Sequence, residues 1–308
     1  MSDIKLFTRT GETFTELTGS FALLESNLQK QIESNMLAFL GVHFLATEYT
    51  TGKSHKGRID SLGLDENGCP VIIEYKRAKS DNVITQGLFY LDWLLDHQAE
   101  FQLLVMQQLG SDYSDSIEWS GTRLICIAAD FNRYDEHAIQ QIDRNIELMR
   151  YRYFAADLLL LELVNTQSGT RPAHQSSTTN TTNIRKNVPD KTQAQRLLEA
   201  PVALLALFEE LCAFTEQLGD EVQRKDLKRY TAFKRIKNFI SIVILTGKKD
   251  PKLQVYLKLP SNMAEDNDFS RDVTGIGHWG TGDFEVNVRT LEDLDKTKQL
   301  ITLSYERS

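Results

Sequence analysis

Asp60, Glu74 and Lys76 have the types and the spacing to do chemistry together. Side chains alternate along a strand, so within residues 70–76 Ile72, Glu74 and Lys76 share one face while Val71, Ile73 and Tyr75 take the other. Within residues 58–64, Arg58, Asp60, Leu62 and Leu64 share a face, and an antiparallel hairpin between the two runs brings Asp60 within reach of Glu74. Two carboxylates on adjacent strands repel unless a cation sits between them, and oxygen-only ligands favour a hard, hydrated ion such as Mg²⁺. Lys76 then stands beside that cation. The grouping suits phosphodiester hydrolysis: the metal lowers the pKa of a bound water and offsets phosphate charge, while the lysine positions the water or stabilises developing charge. Glu-x-Lys by itself is weak evidence, because on an exposed strand face the two form a solvated ion pair.

The elements that must position these residues are readable from periodicity. Residues 21–40 carry apolar side chains at Phe21, Leu24, Leu28, Ile32, Met36 and Phe39, the spacing of an amphipathic helix. Strands are expected at 43–50, 58–64 and 70–76, the last two joined by Asp65-Glu-Asn-Gly-Cys69, a hairpin-turn composition. A helix over 82–97 and a buried strand over 122–129 follow, and a helix near 135–148 and a strand near 151–164 extend the core. At ~100° per residue, Glu25 falls about 40° from the centre of the first helix's apolar stripe and Glu33 about 120° away. A carboxylate on a buried face is costly unless paired or metal-linked, so Glu25 is preferred to Glu33 as a further member of the site.

Asp60, thirteen residues and then Glu74-Tyr75-Lys76, in a helix, three strands, helix, strand order, resembles the PD-(D/E)xK nuclease superfamily. Gly57-Arg58-Ile59-Asp60, Ile73-Glu74-Tyr75-Lys76 and Gln86-Gly-Leu-Phe-Tyr90 are similar to the three motifs of RecB-type nucleases, and the N-terminal part also resembles the catalytic domain of NucS-type endonucleases. The proline of the PD element is absent. The resemblance implies an α/β fold with a restriction-endonuclease-like αβββαβ core and mixed sheet. It implies Asp60, Glu74 and Glu25 as ligands of Mg²⁺ or Mn²⁺, with the Tyr75 carbonyl as a further ligand. Lys76 becomes the catalytic lysine, and Gln86 and Tyr90 the polar pair bordering the site. Nucleic acid, with DNA foremost, is the expected substrate, and a homodimer an expected assembly. Two rivals stand beside this reading: a non-catalytic nucleic-acid-binding or scaffolding protein that keeps the fold, and an enzyme acting on another phosphoester.

Basic residues flank the motifs: Lys53, Lys56 and Arg58 before them, Arg77 and Lys79 after them. They either contact phosphates or protect sheet edges from aggregation. Residues 165–195 are rich in Ser, Thr, Asn and Gln and poor in large apolar residues, which predicts a flexible linker between a nuclease-like domain over 1–164 and a smaller α+β domain over 196–308. In that second part a helix is expected over 196–218, strands at 240–245, 253–259, 284–288 and 300–305, and a short helix at 291–298. Residues 224–237 hold seven basic residues and one acid; Lys228, Arg229 and Lys234 then form a nucleic-acid surface or a solvated basic helix face. The glycine-rich run 275–282 lacks the Gly-Lys-Ser/Thr ending of a phosphate loop and reads as a tight turn into a strand, or as a turn that places His278 and Trp279 at a site. This part resembles an uncharacterised domain of proteins sometimes labelled predicted transporters.

With 35 Lys and Arg against 43 Asp and Glu, the net charge is −8, so no protein-wide positive field attracts polyanions. Any nucleic-acid binding must rest on local patches and divalent cations. Cys69, Cys126 and Cys212 lie far apart, the six histidines show no metal-ligand spacing, and no apolar run approaches the ~20 residues of a membrane helix. Together with a first segment lacking an apolar signal core, these features lead us to expect a cytoplasmic protein without a membrane partner.

Overall fold

Residues 71–75 are buried without exception, and a strand that is apolar on both faces must lie inside a sheet covered on both sides. The computed structural model of the chain describes residues 4–77, 82–169, 191–276, 278 and 280–308. Two compact units divide it, Met1–Arg171 and Pro172–Ser308.

The first unit opens with β1 (Leu6–Thr10), β2 (Thr13–Leu17) and β3 (Gly19–Ser20), followed by α1 (Glu25–Ser34), α2 (Met36–Leu40), β4 (Val42–Thr50) and the single turn α3 (Gly52–His55). Then come β5 (Arg58–Asp65), β6 (Pro70–Lys76), α4 (Val83–Asp96), α5 (Gln98–Leu109), α6 (Ser111–Asp115), β7 (Arg123–Ala128), α7 (Arg133–Gln140), β8 (Asn145–Phe154) and β9 (Leu158–Gln167). The main sheet runs β3-β8-β7-β6-β5-β4 with β9 beside β8; β6, β7 and β8 are parallel neighbours, whereas β4, β5 and β6 form an antiparallel meander. This is the expected αβββαβ order on a mixed sheet. One face packs on α4 and α5 through Leu62, Leu64, Ile72, Leu124 and Leu148. The other lies under α1 and α2, where Leu28, Ile32 and Met36 are buried. Gly87 lets α4 approach closely, because a Cβ there meets Leu124 Cδ1 at 2.5 Å.

Turn chemistry sets the β5–β6 register. Asp65 Oδ1 accepts from the Asn67 and Cys69 amides and Gly68 takes a positive φ of 74°, the geometry that residues of this type supply. At this end of the sheet Arg123 bridges Asp65 and Glu147, all three buried. The site residues lie at the other end of β6.

Several element boundaries differ from expectation. The helix expected over 21–40 is α1 and α2, broken at Asn35, and Phe21 and Leu24 lie exposed before its first turn. The helix expected over 135–148 ends at Gln140, because Ile146 and Leu148 belong to β8 with Glu147 turned toward Arg123. The strand expected over 151–164 is a hairpin, β8 and β9, which turns through Ala155 at φ 53°. The expected linker 165–195 begins in β9 and ends in α8, with 170–190 outside the described residues.

The second unit holds α8 (Gln193–Glu199), α9 (Val202–Glu216), β10 (Gln223–Asp226), β11 (Thr231–Lys234), β12 (Asn238–Leu245), β13 (Lys252–Leu257), β14 (Ser270–Asp272), β15 (Phe284–Val288) and α10 (Leu291–Glu306). Its antiparallel sheet runs β10-β11-β12-β13-β15-β14, with α9 and α10 packed on one face, an α+β arrangement. The helix expected over 196–218 breaks at Ala200-Pro201, where proline cannot donate to the turn before it. Residues 300–305, expected as a strand, complete α10, which a reciprocal Thr290–Asp293 cap starts. Residues 224–237 form two strands and their turn rather than a helix.

Gly87→Ala tests the α4 contact. It is expected to destabilise the first unit by about 1–3 kcal/mol, because the buried Leu124 side chain must shift within the core to admit a Cβ; urea unfolding of the variant against the parent measures it.

Candidate active site

The ladder between β5 and β6 runs from Leu64↔Pro70 to Ser61↔Ile73, and there the strands part. Asp60 and Glu74, next in register, fill the gap with their carboxylates. Glu74 Oε1 accepts from the Asp60 amide at 3.2 Å, and Asp60 Oδ2 accepts from the Tyr75 amide at 3.0 Å. Each acid thus replaces a backbone carbonyl that the ladder no longer supplies, while β6 keeps its parallel pairing with β7, Glu74 opposite Cys126.

Glu74 is fully buried, and its Oε2 has no hydrogen-bond partner. Burial, and then the neighbouring Asp60 charge, push its pKa up to about 9, more than the Asp60 amide and Lys76 offset. Burial likewise raises Asp60; the Tyr75 amide and Lys76 oppose the shift, and Glu25 and Glu48 add to it. Two acids held this way accept a proton or a cation readily.

Lys76 extends past this pair. Its Nζ lies 3.4 Å from Glu25 Oε1, and Glu25 Oε2 accepts from the Arg77 amide at 3.0 Å. Glu25 is the first residue of α1 rather than part of its buried stripe. Among the described residues no group of three or more His, Cys, Asp or Glu stands in metal-holding geometry. The expected three-acid set is therefore corrected: Asp60 and Glu74 are brought together, and Glu25 is placed on Lys76. The helix starts too late for the angular argument that favoured Glu25. Glu33 is the inward acid, accepting from the Ser61 hydroxyl at 2.6 Å and from Gln29 Nε2 at 3.1 Å. Gln29 Nε2 also donates to the Asp60 carbonyl at 2.9 Å, which braces β5 from behind.

Glu48 is a site neighbour that sequence reasoning missed. Thr47 pairs with Ser61 and Tyr49 with Ile59, so Glu48 stands opposite Asp60. It takes φ 51° within a strand and ion-pairs with Arg58. Such a conformation costs a non-glycine residue roughly 1–3 kcal/mol and gathers at functional positions. Nothing in the sequence marks it, since glutamate is not a residue type that announces a positive φ.

Gln86 and Tyr90 meet on α4, Gln86 Nε2 donating to the Tyr90 hydroxyl at 3.4 Å. That hydroxyl accepts from the Arg58 amide at 3.2 Å, and Gly57 leaves the space that the Tyr90 ring fills. Among the described residues the pair holds the start of β5, which carries Asp60, and no hydrogen bond joins it to Lys76.

Of the expected basic rim, Lys56, Arg58 and Arg77 are exposed, although Arg58 is paired with Glu48 and Arg77 Nη1 donates to the Leu23 carbonyl. Lys53 falls in α3; Lys79 lies outside the described residues. In the second unit Lys228 and Arg229 are exposed on the turn between β10 and β11, whereas Lys234 is buried at 2% exposure beside core residues Tyr230 and Phe233. Lys234 is thus removed from any nucleic-acid surface.

Residues 194–308 match a family described as a domain of unknown function, DUF5655. A Haemophilus influenzae protein described as uncharacterized is 27% identical over 305 residues, covering 97% of this chain and 98% of that relative. A repair endonuclease from Pyrococcus abyssi is similar at 19% identity and TM-score 0.29 over 42% of this chain and 48% of that one. EndoMS in complex with double-stranded DNA is similar at 19% identity and TM-score 0.30 over 42% and 47%. The chain spans about half the length of these solved structures. No described helix is long and apolar enough to cross a membrane.

The pKa of Glu74 sets a pH dependence. Its folded value near 9 lies above the ordinary 4.5, so its contribution to stability is complete below about pH 4.5 and is lost as pH rises toward 9. Without divalent cations, Glu74→Gln should therefore gain on the parent protein between pH 5 and pH 8, by roughly 2–4 kcal/mol. Chemical denaturation in EDTA at the two pH values measures the change; a pH-independent difference would contradict the assignment.

Proposed function

We propose that the first unit is a divalent-cation-dependent nuclease that hydrolyses phosphodiester bonds in DNA. One observation carries the reading: two adjacent acids fill a break in the β5–β6 ladder, and one oxygen of the buried Glu74 has no partner in the protein. A buried carboxylate with an unsatisfied oxygen is costly, and an oxygen-seeking divalent cation supplies what is missing. Asp60, Glu74 and the Tyr75 carbonyl would hold Mg²⁺ or Mn²⁺. When bound, the metal provides an acidified water and polarises the phosphate.

The chain's own groups do the rest. Lys76 Nζ faces solvent past the acid pair and donates to the phosphate or to the attacking water, while Glu25 holds its side chain at the mouth. Tyr90 and Gln29 fix the backbone on either side of Asp60, through Arg58 N–H and the Asp60 carbonyl. Lys56, Arg58 and Arg77 are placed to meet neighbouring phosphates. In this reading 1–164 form the catalytic part, 165–195 join it to the rest, and 196–308 recognise substrate or partner.

Labelled single- and double-stranded DNA and RNA, incubated with Mg²⁺ or Mn²⁺, test the proposal. Asp60→Ala and Lys76→Ala should each lower cleavage at least 100-fold, and Glu25→Gln should lower it less. Mn²⁺ should raise the melting temperature of the parent protein and leave Glu74→Gln unchanged. Cleavage that persists equally in Asp60→Ala and Lys76→Ala would overturn the site. Salt-sensitive DNA binding without cleavage in either metal would overturn the enzymatic reading and favour a binding protein.

A further inference from the structure

The second unit holds a polar cavity that the nuclease reading does not use. Its sheet turns Leu253, Val255, Leu257, Phe284 and Val286 toward the helices, so alternation sends Gln254, Tyr256 and Glu285 to the opposite face. There Glu285, 1% exposed, accepts from Arg271 Nε at 2.6 Å and Nη2 at 2.9 Å, and bonds to Gln254 and Tyr256 as well. This single buried carboxylate fixes the orientation of all three neighbours. Gly280 and Thr281 then lie over the face. Gly280, at φ 99°, rests where a Cβ would strike Ser241, and the Thr281 amide donates to the Ser241 hydroxyl at 3.3 Å. The result is a cavity of about 550 Å³, within the usual range for small-molecule sites.

Its walls have a particular chemistry. The His278 and Tyr256 rings lie flat together, centroids 4.5 Å apart at 12°, and His278 Nδ1 is buried without a hydrogen-bond partner. Val273 and Ile276 supply apolar contact, and Arg271, its side chain 44% exposed, lines the cavity as well. The Arg271 charge is cancelled by Glu285, and no other Lys or Arg lines the cavity among the described residues. A strongly charged anion is therefore poorly matched. A flat, weakly charged ring with hydrogen-bonding edges is well matched, because it can join the aromatic stack, slide between apolar walls and meet Arg271 and Gln254 at its rim.

We propose that this cavity binds a nucleobase, whether from a free nucleotide or from an unpaired position of a nucleic-acid strand. The site is independent of Asp60 and Glu74.

Isothermal titration calorimetry on the full chain in EDTA provides the test, with the four common nucleoside monophosphates in one arm and single-stranded 12-mer oligonucleotides in the other. Ile276→Trp fills the cavity from a half-exposed position and leaves the Arg271–Glu285 pair intact. His278→Ala removes the ring and the unpartnered nitrogen. Saturable binding of a monophosphate or an oligonucleotide is expected, weakened at least tenfold by both substitutions. Monophosphate binding of that kind assigns a free nucleotide; binding confined to the oligonucleotides assigns a strand base. No saturable binding by the parent protein in either arm up to millimolar concentration would overturn the proposal, as would binding that both substitutions leave intact.

Discussion

Where β5 and β6 separate, two carboxylates do the work of two backbone carbonyls, and the first unit is arranged around that exchange. An interrupted ladder inside a sheet leaves amides that must find acceptors. Asp60 and Glu74 satisfy the Tyr75 and Asp60 amides, but they bring two like charges into a site with little water. Burial of an unpaired carboxylate costs several kcal/mol, so the pair needs a proton or a cation before both strands can rest at their observed separation. The chain supplies only a distant part of the compensation, through Lys76, which is already engaged by Glu25.

The surrounding structure keeps this arrangement rigid rather than relieving it. Gln29 and the Ser61–Glu33 bond brace β5 from the α1 side, and Tyr90 holds its first amide from the α4 side. At the far end of the same strands, Arg123 neutralises Asp65 and Glu147 and locks the hairpin to β7 and β8. A strand pinned at both ends cannot slide to repair its ladder. Glu48, in a left-handed conformation opposite Asp60, adds negative potential exactly where it is least comfortable for the pair. The charge of −8 takes on a local meaning here: part of the acid excess is concentrated at Asp60, Glu74 and Glu48.

Much of this was legible in the sequence because period-two alternation and turn chemistry are short-range signals. Glu74 and Asp60 could be set side by side from the strand pattern and the Asp65–Cys69 turn alone. Glu25 was misplaced for a physical reason: Phe21 and Leu24 continue the helical spacing of Leu28 and Ile32, yet α1 starts only at Glu25, after a Leu24 that makes no side-chain cap. β8 was hidden because its alternation includes charged residues, Glu147 and Arg150, whose partners Arg123, Asp130 and Glu162 come from β7, the segment after it and β9. Lys234 was misread for the same reason, since a buried lysine looks like a surface one until the strand that covers it is known. The positive φ of Glu48 falls on a residue type that does not announce it.

Buried acids on the two units show how environment separates a structural carboxylate from one suited to function. Glu285 is buried like Glu74, and burial pushes both pKa values upward; the bonds and charge of Arg271, with the bonds from Gln254 and Tyr256, together outweigh that push and hold Glu285 below its ordinary value. Glu147 is buried as well, but Arg123 neutralises it in place. Glu74 has a second acid as its nearest charged neighbour and no arginine against it. A carboxylate that the fold neutralises is complete and can serve as scaffold, as Glu285 does for Arg271, Gln254 and Tyr256. One that the fold leaves raised, half-satisfied and next to another acid is incomplete until a proton or a cation from outside the chain joins it, and that is the position of Glu74 beside Asp60.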